Sequence, residues 1–218
     1  MSTGVVVPVR GWSPYLAEAL DSVLAEDPAE VVVVDDASDD PVALHPDHAA
    51  RCRLVRRAEP GGPAAARNTG VEAFGAGIET IAFCDADDAW EPGSLAPRLA
   101  ALAGAPVAFG RARIVGPDGR ETGERWAPPD AAHIADAALL YEANPVPTSS
   151  VVMRRSAFAG FDPVFSPAED WELWLRTVRA GSALGYVEAA VVRYRRHGGG
   201  LSARLDALGR GQRLLHER

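Results

Sequence analysis

The sequence predicts an α/β fold built on a mostly parallel sheet flanked by helices, and three observations carry that reading. Val5-Val6-Val7-Pro8-Val9, Val31-Val32-Val33-Val34 and Ile81-Ala82-Phe83-Cys84 are short apolar runs, as expected of strands buried on both faces. Segments whose apolar residues recur at helical spacing separate them. The second and third runs end abruptly in acids, Asp35-Asp36-Ala37-Ser38-Asp39-Asp40 and Asp85-Ala86-Asp87-Asp88. A strand-helix-strand succession in so short a span implies a right-handed crossover, which sets both acidic ends on one sheet edge. Ligands of open α/β sheets bind at that edge.

Composition narrows the function classes. A chain of 218 residues is long enough for one domain with a full core. The hydrophobic share of 47% and charged share of 24% are those of an ordinary soluble protein. A net charge of −8 argues against a nucleic-acid surface. Histidine aside, every basic side chain is Arg, which excludes a Walker lysine and a Schiff-base lysine. Phosphate recognition is left to Arg, main-chain N–H groups or a metal. Cys52 and Cys84 read as reduced thiols. With no signal peptide and no apolar run near ~20 residues, the expected location is cytoplasmic, peripheral membrane attachment and oligomeric state being left open.

The elements follow in order. Val5 to Val9 is the first strand, with Pro8 marking its end. Trp12 to Glu26 is a helix on the spacing of Leu16, Leu20, Val23 and Leu24, with Ser13 as N-cap and Pro14 in the first position. Val31 to Val34 is the second strand. His45 and His48 lie in the following loop without partners at metal-ligand spacing, so both are expected on the surface. Arg53-Leu54-Val55 is a weak third strand. Glu59 to Gly70 is a glycine-rich approach to a small-residue helix ending near Gly75 or Gly77, whose N-terminus suits phosphate.

Ile81 to Cys84 is the central strand, followed by a helix from about Gly93 to Ala103. Ala105 to Val115 is a strand, and Gly116-Pro117-Asp118-Gly119 turns it into a hairpin. Residues 127 to 144 hold Pro128, Pro129 and an Ala-rich helix, and Pro145 to Met153 leads into a strand. Trp171, Trp174, Leu175 and Val178 mark a helix ending at Gly181, its C′ glycine. Glu169 and Asp170 fall in or just before its first turn, where the helix dipole alone accounts for acids. Val187 to Tyr194 is the last strand. His197 lies in a glycine-rich loop, and Leu201 to Arg218 is an amphipathic tail helix.

Asp85 and Asp87 are two apart, so in extended chain their side chains leave the same face. Carboxylates that close repel, and a hard divalent cation, a cationic ligand or full solvation relieves them. Taken alone, so short a pattern is more often an acidic surface turn ahead of the next helix, since such patterns recur by chance.

Taken in order, six blocks resemble the family-2 glycosyltransferases. They are Val-Pro-Val-Arg, Val-Val-Asp-Asp-Ala-Ser-Asp-Asp, Gly-Pro-Ala-Ala-Ala-Arg-Asn-Thr-Gly, Asp-Ala-Asp-Asp, Glu-Asp-Trp-Glu-Leu-Trp-Leu-Arg and Tyr-Arg-Arg-His-Gly-Gly-Gly-Leu-Ser, and they run from Val5 to Ser202. The resemblance implies a GT-A fold, a Rossmann-like single domain over residues 1–218. Its nucleotide-sugar-binding half would span about 1–104 and its acceptor half about 105–200, before a C-terminal helix over 201–218. Pro8 and Arg10 would line the base pocket, and Asp36 would bond the base edge, by analogy uracil. Arg67 would serve the nucleotide side, and Asp85 would approach the ribose or donor sugar. Asp87 would ligate Mn²⁺ or Mg²⁺, with Asp88 nearby and His197 completing the metal site. Asp170 would be the catalytic base, with Glu169 beside it on the substrate side.

The implied activity is inverting transfer of one sugar from a nucleotide-diphosphate sugar to a glycan, lipid-linked or small-molecule acceptor, in polysaccharide or glycoconjugate synthesis. The Gln-x-x-Arg-Trp block of processive synthases is absent, which implies a single transfer per encounter. Ala37 stands where glycine is common and Asp39 where Thr is usual. Two other readings compete. Sugar-nucleotide pyrophosphorylases need a Gly-rich signature after the first strand that Arg10-Gly11-Trp12-Ser13 does not provide. A degenerate domain that binds without turnover would not need Asp87, Asp170 and His197 together.

Overall fold

The computed structural model describes residues 1–128, 134, 137–199 and 213–215. The chain runs β1 (Thr3–Val9), α1 (Leu16–Leu24), β2 (Glu30–Asp35), α2 (Pro46–Ala49), β3 (Arg53–Arg56), α3 (Gly62–Ala73), β4 (Thr80–Phe83), β5 (Ala89–Trp90), α4 (Leu95–Ala101), β6 (Val107–Val115) and β7 (Glu121–Trp126). It continues through α5 (Ala137–Glu142), a 3-10 turn at Thr148–Ser150, β8 (Val152–Arg154), α6 (Glu169–Arg179) and β9 (Leu184–Arg195). The strands form one sheet in the order β3-β2-β1-β4-β8-β6-β9-β5, with β7 paired on β6.

The first half of the sheet is wholly parallel: β1 lies between β2 and β4, and β3 flanks β2. Antiparallel pairing begins where β8 meets β4. Val5 to Val7, Val32 to Val34 and Ile81 to Cys84 are fully inaccessible, the burial on both faces that their uninterrupted apolar runs predict. Alternate residues serve two cores. Val6, Val32, Val34, Ile81 and Phe83 join the side of α3 and α6, while Val5, Val7, Val33, Ala82 and Cys84 join the side of α1 and α4. The approach of α3 to β1 requires Gly70, where a Cβ would fall 2.4 Å from Val6 Cγ1.

Several boundaries differ from the sequence reading for physical reasons. β1 continues through Pro8 to Val9. The carbonyl of Val6 accepts from Cys84 N, and β4 ends at Phe83, so Pro8, two residues on, faces a side where no strand needs its missing N–H. α1 starts at Leu16 and not beside Ser13, with Tyr15 at its N-cap and no side-chain cap. The Ser13 hydroxyl instead donates to Ala86 O at 3.2 Å and ties this loop to the acidic end of β4. His48, expected on the surface, is buried with Nε2 2.8 Å from Asp21 Oδ1, because α2 packs it onto α1. His45 is exposed. The hairpin of β6 and β7 forms, and α6 ends with Gly181 at φ +82° after Ala180. β9 extends three residues before Val187. Of the tail helix only 213–215 is described, and most of 129–136 lies outside the described residues. No helix among the described residues is long and apolar enough to cross a membrane.

Candidate active site at the acidic end of β4

Beyond Phe83 the chain closes a turn in which Asp88 N donates to Asp85 O at 3.1 Å. That turn sorts the acids. Asp88 points inward, 1% exposed, accepting from Ser149 Oγ at 2.5 Å and from Arg195 N at 2.9 Å. Ser149 Oγ in turn accepts from Asp85 N at 3.0 Å. The side chains of Asp85 and Asp87 remain 28% and 33% exposed on the open side. Arg195 locks the turn from the end of β9. Its Nε donates to Asp87 O at 2.9 Å, its Nη2 pairs with Glu18, and its guanidinium lies 4.4 Å over the Tyr15 ring.

His197 follows two residues later and brings Nε2 to 2.9 Å from Asp87 Oδ2, 110 residues away in sequence. Burial and the neighbouring Asp85 raise the proton affinity of Asp87, and His197 opposes them. Burial, Asp87 and Asp85 push Asp88 up much further. Among the described residues no three His, Cys, Asp or Glu side chains converge as a metal cage. The partly open Asp87–His197 pair does fit a hard divalent cation that keeps most of its shell for water and phosphate oxygens. Asp88 is turned away from that open side, 1% exposed and bonded through both oxygens to the fold, so it is not placed as a direct ligand.

Arg67 of α3 joins this end of β4 to α6. Only 5% exposed, it donates from Nη2 to Asp85 Oδ1 at 2.6 Å and from Nη1 to Glu169 Oε1 at 2.9 Å, and it lies 5.4 Å from the Phe161 ring centroid. Burial works against its charge, but Asp85 and Glu169 overcome that cost and hold it protonated. Among the described residues Arg67 Nε and Glu169 Oε2 are buried without a partner.

Asp170 stands next to Glu169 in the first turn of α6. Its Oδ2 accepts from Thr148 Oγ1 at 2.7 Å and Asn144 Nδ2 at 3.3 Å, and its Oδ1 from Trp171 N at 2.6 Å. Burial, then the adjacent Glu169, raises its carboxyl to about 6, with Thr148 and Arg67 pulling the other way. Cys84, at the strand end, is a buried free thiol whose proton affinity burial raises strongly, which leaves it inert.

The structure thus brings together Arg67, Asp85, Asp87, Glu169, Asp170 and His197. Asp36 is placed differently from the expectation. Buried at 3%, it accepts from Gly61 N at 2.9 Å and Gly62 N at 2.7 Å, and pairs with Arg57 Nε at 2.9 Å. Its carboxylate therefore holds the glycine loop and is not free for a base edge. Gly61 N at the N-cap of α3 and Gly62 N, its first amide, are spent on these bonds and not free for phosphate. Pro8 is half-buried, and Arg10 is exposed with no bond to other described residues. The sequence reading missed Asn144, Thr148, Ser149 and Arg195. The run Pro147-Thr148-Ser149-Ser150 offered a signal in its three consecutive hydroxyls, but only the fold shows what each one grips.

Comparison with known proteins accords with this geometry. The profile of the Glycosyl transferase family 2 matches residues 4–161. A pre-mycofactocin glycosyltransferase of Mycobacterium tuberculosis is 31% identical over 207 residues, covering 86% of this chain and 41% of the relative. The succinoglycan biosynthesis protein ExoW of Rhizobium meliloti is 37% identical over 99 residues, covering 42% of this chain and 31% of the relative. The chain thus spans less than half the length of these curated relatives. The crystal structure of S. aureus TarS 1-349 superposes with a TM-score of 0.67 at 19% identity, covering 99% of this chain and 64% of the other, and so shares the fold. The same protein in complex with UDP-GlcNAc gives 0.69 at 18% identity, covering 99% and 65%. By its matched sequence and its GT-A fold, the chain belongs to glycosyltransferase family 2.

Proposed function

We propose that this chain transfers one sugar from a uridine-diphosphate sugar to an acceptor hydroxyl with inversion at the anomeric carbon. The observation that carries the reading is the Arg67 bridge, which holds Asp85 at the end of β4 and Glu169 at the start of α6 around one charge. Asp170 thereby stands beside the acids that face a donor. The complexes of TarS with UDP and with UDP-GlcNAc support the choice of nucleotide. The names of the curated relatives support a glycan, lipid-linked or small-molecule acceptor in polysaccharide or glycoconjugate synthesis.

In this reading residues up to about 104 bind the donor and those from about 105 to 200 receive the acceptor. Arg10 and Pro8 flank the base. Asp85 meets the ribose or donor sugar, kept in place by Arg67. Asp87 and His197 hold Mn²⁺ or Mg²⁺, and when bound that ion offsets the charge of the leaving diphosphate. Asp88, Ser149 and Arg195 fix the turn that carries Asp87. Asp170 takes the proton from the acceptor hydroxyl as that oxygen attacks the anomeric carbon from the face opposite the diphosphate. A carboxyl near 6 is ionised at neutral pH yet basic enough for the task.

Calorimetric titration with UDP, GDP and dTDP, each with Mn²⁺ and with EDTA, tests the donor site. Metal-dependent binding of UDP alone is expected. Binding of none of the three would remove the donor assignment, and binding without turnover of any UDP-sugar would favour a degenerate domain.

A further inference from the structure

We propose that Thr148, with Asn144 behind it, is a positioning residue for Asp170, filling Oδ2 so that Oδ1 is the oxygen left to receive the acceptor proton. The proposal rests on Asp170 as the base. A carboxylate oxygen offers about two lone-pair directions. Oδ2 accepts from both Thr148 Oγ1, at 2.7 Å, and Asn144 Nδ2, at 3.3 Å, whereas among the described residues Oδ1 accepts only from Trp171 N. The remaining capacity lies on Oδ1.

Both donors are themselves fixed. Val146 N donates to Asn144 Oδ1 at 3.1 Å, which turns the amide N–H₂ toward Asp170, and Trp126 Nε1 donates to Asn144 O at 2.9 Å. Thr148 is 6% exposed and opens the 3-10 turn whose Ser150 N donates to Pro147 O at 2.9 Å. The next residue in that turn is Ser149, which grips Asp88 and the main chain of Asp85. Two adjacent residues of one turn therefore orient the base and the donor-side acids against each other. A hydroxyl whose proton points at Asp170 also favours the ionised carboxylate. The charged groups acting on Asp170 are Glu169, which raises its proton affinity, and Arg67 from α3, which lowers it.

The test follows the carboxyl carbon of Asp170 by NMR against pH in protein labelled at aspartate, with Asp170→Asn to assign the signal. Thr148→Val is expected to raise the midpoint by about one unit, a tenfold loss of acidity. Thr148→Ser should keep it near that of the unchanged protein, and Asn144→Ala should raise it by less. Asn144→Ala serves as the second variant should Thr148→Val not fold. An unmoved midpoint in the folded variants, or a rise in Thr148→Ser equal to that in Thr148→Val, overturns the proposal. Full transfer activity in Asp170→Asn would instead fell the base assignment, an outcome separable from the titration.

Discussion

Two strands end in acids on the same sheet edge, and the chain answers the two ends differently. After β2, Asp35 accepts from Ser38 N at 2.9 Å, from Val42 N at 3.2 Å and from Arg56 at 2.6 Å, while Asp36 is held by Gly61, Gly62 and Arg57. Burial pushes Asp35 up, but the Ser38 hydroxyl first, then the Ser38 and Val42 amides and Arg56, hold it below the usual carboxylate range. After β4, only Asp88 is held by the fold through both oxygens, and Asp85 and Asp87 keep open faces. Acids at a strand end become a site where they stay partly open, each against one partner, Arg67 for Asp85 and His197 for Asp87. Asp170, half-buried and with its carboxyl near 6, belongs with the open group.

That division can be broken by mutation. The largest effect is expected at Asp170→Asn, which should lower kcat by a factor of ~10² to 10⁴ and leave UDP affinity unchanged by calorimetry. Equal activity would move Asp170 out of the group. Next come the neighbours Asp87 and Asp88. Asp88→Ala strands the Ser149 hydroxyl and Arg195 N–H and should cost about 2 kcal/mol in urea unfolding. Asp87→Ala should change stability by only about 0.5 kcal/mol while losing Mn²⁺-dependent nucleotide binding. The reverse pattern would show that the turn had been read inside out.

Asp36→Ala frees two loop amides and should cost about 1–2 kcal/mol, with UDP binding weakened only as the glycine loop loosens. A collapse of UDP affinity in a protein of undiminished stability would restore the base-edge role. A smaller effect sharpens the same contrast. The folded state holds the proton of Asp170 more tightly than the unfolded chain, so this residue costs stability as pH rises from about 4 to about 6. Asp170→Asn should then gain on the order of 1 kcal/mol over the unchanged protein at pH 7 and nothing at pH 4, as read by urea unfolding. A gain of equal size at both pH values would mean that the charge is not its source. Smallest is Arg10→Ala, exposed and unpaired among the described residues, which should leave stability within ~0.5 kcal/mol and weaken UDP binding.

Much of this was legible in the chain. Continuous runs of Val and Ile announced strands buried on both faces, and the spacing of Trp171, Trp174 and Leu175 announced α6, because burial imposes a period that residues must follow. The meeting of Asp87 and His197 followed only from resemblance, and the bridge from Arg67 to Asp85 and Glu169 only from the structure, since no local rule links residues that far apart. His48 shows the limit plainly: its burial depends on α2 meeting Asp21 of α1, which no loop pattern signals.

The sequence by itself determined the strand and helix succession, the acidic strand ends and the absence of lysine, all properties of neighbouring residues or of composition. Tertiary structure alone decided which acids are sealed and which stay open. Asp87 and Asp88 are chemically identical and adjacent, yet one faces His197 and the other is sealed against Ser149 and Arg195. That outcome depends on where β9 and the Thr148–Ser150 turn arrive. Long-range packing sets their position, and with it the donors that reach each carboxylate.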